Sequence, residues 1–139
     1  MAFILDTSFV IRYLKGDADA VARLDEIKTT RAPILLPAPA YYELRVGYEV
    51  FGNQEEYEQF LETIRDMQVP AFDRGRAAVA ARLQARLRDL GRTGGPVDSM
   101  ILSFPSRGSD TLVARDGPME EAAQALGIQV DQRPESANS

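Results

Sequence analysis

Ala2-Phe3-Ile4-Leu5-Asp6-Thr7-Ser8 is the stretch on which the reading of this chain turns. Four apolar residues run into an acid, and two hydroxyl residues follow it. A short apolar run bounded in this way reads as a buried strand, and the hydroxyls suit the start of a helix. Thr111-Leu112-Val113-Ala114-Arg115, which leads into Asp116, repeats the pattern near the other end of the chain. Open parallel sheets bind ligands beyond the carboxyl ends of their strands, so Asp6 and Asp116 stand where a site is expected.

Working outward, Thr7 and Ser8 are expected to cap a helix through about Lys15, ended by Gly16, and Asp17 to open a second helix on which Val21, Leu24 and Ile27 recur at helical spacing. Pro33 and Pro37 bracket a short strand. A third helix carries Tyr41, Leu44 and Tyr48 inward, and a fourth runs from Gln54 to about Met67 with Tyr57, Phe60, Leu61 and Ile64 as its stripe. Residues 69–72 read as a strand. A long helix from Asp73 to about Leu90 faces Val79, Leu83, Leu87 and Leu90 to the core. After the loose segment 91–96, an apolar segment begins at Val97-Asp98 and is cut short by Pro105. A strand (111–115), a helix (119–126) and a last strand (128–130) complete the pattern. Strands alternating with helices, without hairpin signals, predict an α/β fold with a parallel sheet covered on both faces. Residues 1–130 read as one domain, and 131–139 as a polar tail.

Composition narrows the chemistry. The 139 residues include no histidine and no cysteine, which excludes Ser-His-Asp triads, thiol nucleophiles and zinc-thiolate sites. A net charge of -5 argues against coating nucleic acid through bulk charge, though not against gripping it locally. No stretch approaches the ~20 apolar residues of a membrane span, and the start of the chain lacks the core of a signal peptide, so a cytoplasmic protein without membrane contact is expected. Catalysis, if present, runs on carboxylates.

Four are candidates: Asp6, Glu43, Asp98 and Asp116. Each has a plainer reading. Asp6 serves a helix start, Glu43 is an exposed first-turn acid, Asp98 is an N-cap, and Asp116 belongs to an Asp-Gly turn. Four carboxylates converging on one pocket repel, and a divalent cation relieves the repulsion. An all-oxygen donor set selects Mg²⁺, with Mn²⁺ as substitute, and such a site suits hydrolysis of a phosphodiester.

Ile4-Leu5-Asp6-Thr7-Ser8, Glu43-Leu44-Arg45-x-Gly47, Pro96-Val97-Asp98-x-x-Ile101 and Leu112-Val113-Ala114-Arg115-Asp116 together resemble, in order and across nearly the whole chain, the motif set of PIN-domain nucleases. Among these the chain is most similar to VapC-type toxins of toxin-antitoxin pairs. The resemblance implies a three-layer α/β/α fold with a central, mainly parallel sheet. It also implies Mg²⁺-dependent endoribonuclease activity, with Asp6, Glu43, Asp98 and Asp116 as both the catalytic and the metal-binding set. As partners it implies an RNA substrate, a second copy of the chain in a homodimer, and a small antitoxin whose C-terminal part lies over the acids. Tyr41, Tyr42, Tyr48 and Phe51 are candidates to line that groove, against the alternative of ordinary helix packing.

The chain departs from the pattern at three places. Pro105 interrupts what is usually an alanine-rich helix, so that helix is expected to be short or kinked. Ala114 stands where a threonine is common, and Gly117-Pro118-Met119 where an aromatic follows. These departures keep a rival open: a catalytically weak or inactive PIN-like domain that binds antitoxin or RNA without cleavage. A phosphohydrolase using an aspartyl nucleophile fits less well, because Asp6-Thr7-Ser8 lacks a second aspartate two residues on. Arg12, Lys15, Arg45, Arg92 and Arg115 are candidate phosphate contacts, chosen by closeness in sequence to the acids or the glycine loop.

Overall fold

The computed structural model describes residues 1–92 and 94–132. Most of the expected tail, 133–139, lies outside the described residues, as does Thr93 of the glycine loop. Among these residues four short strands, β1 (Phe3–Leu5), β2 (Ile34–Leu35), β3 (Thr111–Val113) and β4 (Gln129–Val130), form one sheet in the order β2-β1-β3-β4, every pair parallel. Among the described residues seven helices fill the connections: α1 (Thr7–Leu14), α2 (Ala18–Thr29), α3 (Ala38–Phe51), α4 (Gln54–Ile64), α5 (Arg74–Asp89), α6 (Pro96–Leu102) and α7 (Gly117–Ala125). Strands buried on both sides read as continuous apolar runs. Accordingly Ile4, Leu5, Leu112 and Val113 are fully buried.

The strand order fixes where a site can form. The chain moves one way from β1 to β2, then back past β1 to β3. With right-handed crossovers the two connections lie on opposite faces, and a crevice opens beyond the carboxyl ends of β1 and β3. Register pairs Leu5 with Val113, and the Asp6 N–H continues the ladder by donating to Val113 O at 2.9 Å. Asp6 therefore leaves the sheet opposite Ala114, and Asp116 follows two residues further from the same end of the sheet.

Four sequence expectations need correction. No strand forms over 69–72. Gln68 alone bridges to Leu35, because Pro70 has no N–H to extend the pairing, and the Pro70 carbonyl instead accepts from Ala38 N at 3.0 Å. Leu61 and Leu90, assigned to the core, are 40% and 49% exposed. Leu90 is the residue that ends α5, beyond its last inward turn. Thr7 and Ser8 do not cap α1; Asp6 does, accepting from Ser8 N. Asp131, assigned to the polar tail, is buried and ion-paired to Arg23.

Pro105 is accommodated as the spacing implied. α6 stops after seven residues, at Leu102. The turn that follows is braced from α5, where Arg76 donates to Ser103 O at 2.6 Å and to Ser106 Oγ at 2.9 Å. Asp110 ties it to the start of β1, accepting from the N–H groups of Ala2, Ser106 and Arg107 at 2.9, 2.9 and 3.0 Å.

Candidate active site

Each acid is placed by a different element. Asp6 follows β1 and caps α1, Glu43 lies on α3, Asp98 is in the first turn of α6, and Asp116 follows β3 and precedes α7. Gly95 and Pro96 start α6 without help from a side chain, so Asp98 is not its N-cap. Likewise Asp116 makes no side-chain cap bond. The capping reading of Asp98 fails and the helix-start reading of Asp6 holds; Asp116-Gly117, read as a turn pair, leads directly into α7.

Electrostatics brings the four together. Asp6 is 4% exposed, and its carboxyl is pushed up from 3.8 to about 6. Burial is the main cause, bonds from the Ser8 hydroxyl and N–H oppose it, and the charges of Asp98 and Glu43 add to the rise. Asp98, half-buried, is also raised: first by burial, then by Glu43 and Asp116, against the backbone N–H of Gly95. Asp98 is thus the common neighbour through which all four acids couple. Glu43 is exposed and accepts from Thr7 Oγ1 at 2.7 Å, which links α3 to the residue after Asp6.

The residues beside Asp6 organise it further. Both bonds from Ser8 fall on Asp6 Oδ2, and among the described residues no donor reaches Oδ1. A buried carboxylate oxygen without a donor is costly unless something else meets it. Ser8 Oγ in turn accepts from Arg115 N at 2.9 Å. In the sequence Ser8 reads as a helix cap and not as a partner of Asp6, although its place two residues after a strand-end acid is the signal for that role.

An all-oxygen donor set with one unmet buried oxygen fits a hard divalent cation. Among the described residues, no three acids are gathered into a ready-made metal cage. A hard ion such as Mg²⁺ takes only one or two carboxylates directly and keeps several waters, so it does not require such a cage.

A groove of about 450 Å³ opens beside the acids, bordered by Ile11, Leu14, Lys15, Tyr48 and Phe51, with Glu43 as the only one of the four carboxylates on its wall. Of the four aromatics expected there, Tyr48 and Phe51 line it. Tyr41 packs inward, 5.8 Å from Phe60, and Tyr42 is 62% exposed elsewhere on α3. The candidate phosphate contacts divide similarly. Arg115 is buried in ion pairs with Asp19 and Asp131, so it is not free to meet a phosphate. Arg12, Arg45 and Arg92 pair with Asp17, Glu49 and Glu121 near the surface, and Lys15 borders the groove.

The fold and the disposition of acids define an α/β domain with an acidic crevice at the topological switch point of a parallel sheet. Residues 3–125 match the PIN domain model, and the chain belongs to the PIN-domain family. Solved structures share the fold at low identity. VapBC2 from Rickettsia felis, bound to a DNA fragment from its promoter, superposes with a TM-score of 0.80 at 17% identity, covering 96% of this chain and 100% of that one. FitAcB from Neisseria gonorrhoeae gives 0.74 at 23% identity, covering 94% and 96%. VapBC-1 from nontypeable Haemophilus influenzae gives 0.73 at 17%, covering 95% and 98%. No curated protein matches the chain. No helix among the described residues is long and apolar enough to cross a membrane.

Proposed function

We propose that this chain is a Mg²⁺-dependent endoribonuclease, the toxin of a toxin-antitoxin pair, hydrolysing RNA phosphodiester bonds at Asp6, Glu43, Asp98 and Asp116. The observation that carries the reading is that Asp6, at the carboxyl end of β1, and Asp98, on α6, are both raised, mainly by burial and further by neighbouring acids, with Asp6 Oδ1 unmet. Strained, unneutralised acids of this kind cluster at functional sites.

Asp6 and Asp98 are the first ligands for the cation in this reading, and Asp116 holds it directly or through water. The bound ion supplies a polarised phosphoryl oxygen and an activated water. The protein's own residues do the rest. Ser8 fixes the Asp6 carboxyl by occupying Oδ2, which leaves Oδ1 directed to the ligand. Glu43, steadied by Thr7 and open to solvent, orients a water or accepts its proton. The apolar groove beside Glu43 is the seat proposed for the antitoxin, and the family resemblance supports a homodimer.

Cleavage of a mixed cellular RNA pool tests this. Purified protein with Mg²⁺ or Mn²⁺ is expected to give discrete fragments that EDTA abolishes and that Asp6→Asn does not produce. Folded, antitoxin-free protein that cuts nothing under any metal refutes it in favour of a binding-only domain.

A further inference from the structure

The guanidinium of Arg115 is the most enclosed charge near the acids, with only 1% of its side chain exposed. Nε donates to Asp19 Oδ2 at 3.2 Å, Nη2 to Asp131 Oδ2 at 3.3 Å and Nη1 to Ala114 O at 2.8 Å. Its carbon Cζ lies 5.2 Å from the centre of the Phe9 ring. One side chain therefore joins α1 through Phe9, α2 through Asp19 and the segment after β4 through Asp131. Asp131, 4% exposed, is shared with Arg23, which grips it through Nε and Nη2 at distances from 2.6 to 3.1 Å. Arg23 also meets the exposed Glu26 at 3.2 Å, so each buried charge of the network faces an opposite one.

This assembly bears on the acids through the backbone. Arg115 lies between Ala114 and Asp116, and its N–H donates to Ser8 Oγ, whose own hydrogen goes to Asp6 Oδ2. Anchoring the Arg115 side chain holds that N–H in place, and the N–H decides which way the Ser8 hydroxyl points. The usual threonine hydroxyl is missing at position 114, so the Ser8 bond ties the end of β3 to Asp6 without it.

Resting on the nuclease reading above, we propose that Arg115, Asp131 and Asp19 are positioning residues. They orient Ser8 and Asp6, and hold the segment carrying Asp116, without touching substrate or metal.

The test uses the full chain. In metal-free protein, hydrogen exchange of the Arg115 and Ser8 amides reads the relay directly. Mn²⁺ binding, followed by the electron paramagnetic resonance of the free ion, reads its consequence. Asp131→Asn is expected to speed exchange at both amides about tenfold or more and to weaken Mn²⁺ binding about 10- to 100-fold, the range usual for partners behind a metal ligand. Ile27→Val, in the core of α2, is the control: it lowers the melting temperature but leaves both readouts at wild-type values. Should Asp131→Asn fail to fold, Asp19→Asn, at the more exposed end of the same guanidinium, reads the same two quantities. The proposal is overturned if the variant exchanges and binds as wild type does, or if Ile27→Val reproduces its losses. Wild-type protein that neither binds Mn²⁺ nor cleaves RNA sinks the nuclease reading alone, because amide exchange still decides the relay.

Discussion

Replacing Asp6 by Asn should make the metal-free protein more stable while removing its proposed activity. Folding raises the Asp6 carboxyl from 3.8 to about 6. The folded state therefore holds the proton more tightly than the unfolded chain does. The Asp6 contribution to stability is therefore full below about pH 4, falls as pH rises through the window from about 4 to 6, and stays lower above it. Holding the proton until about pH 6 instead of 3.8 costs about 3 kcal/mol at neutral pH. Asn carries no charge, accepts the Ser8 bonds through its oxygen, caps a helix as well as Asp does, and offers its amide to the neighbouring acids. Urea unfolding in EDTA at pH 7.5 should show Asp6→Asn about 1 to 3 kcal/mol more stable than wild type, with the gap closing by pH 4. Adding Mg²⁺ should narrow the gap at pH 7.5, because only wild type gains stability from the ligand. A variant less stable than wild type at pH 7.5, or one whose difference ignores pH, refutes the electrostatic account of the site.

Asp98→Asn removes a charge that raises Asp6, so the Asp6 carboxyl should titrate below about 6 in carbon-13 spectra, while α6, started by Gly95 and Pro96, keeps its helical signals. Phe60 is fully buried with the Tyr41, Tyr48 and Tyr57 rings within 6.3 Å; Phe60→Ala should cost about 3 to 5 kcal/mol in urea unfolding, and a loss under 1 kcal/mol would contradict that packing. Burial raises Asp110, but the N–H groups of Ser106, Arg107 and Ala2, with the N-terminal charge, outweigh it and hold the carboxyl below 3.8. Its contribution is present above about pH 4 and lost as pH falls below that, so Asp110→Asn should cost about 1 to 3 kcal/mol at pH 7 and less at pH 2.5 in the same assay.

Much of this was legible in the residues. Apolar runs ending in Asp6 and Asp116, the helical spacing of Leu24 with Ile27, and the absence of hairpin signals specify parallel strands joined by helices, because side-chain periodicity is local. The same reading named the four carboxylates whose charges couple through Asp98, since strand ends and motif order are properties of sequence. The short α6 followed from Pro105, which cannot sit inside a helix. Tertiary structure decided what depends on neighbours remote in the chain. Strand order β2-β1-β3-β4 put the ends of β1 and β3 side by side, which is why acids 110 positions apart share a crevice. Pairing partners decided that residues 69–72 remain a loop and that Leu90 faces water. The role of Arg115 was invisible in sequence, where an arginine beside an acid suggests a phosphate contact. Asp19 and Asp131, from α2 and the end of β4, fold around its guanidinium, and a charge enclosed with opposite charges is held in place rather than offered to a ligand.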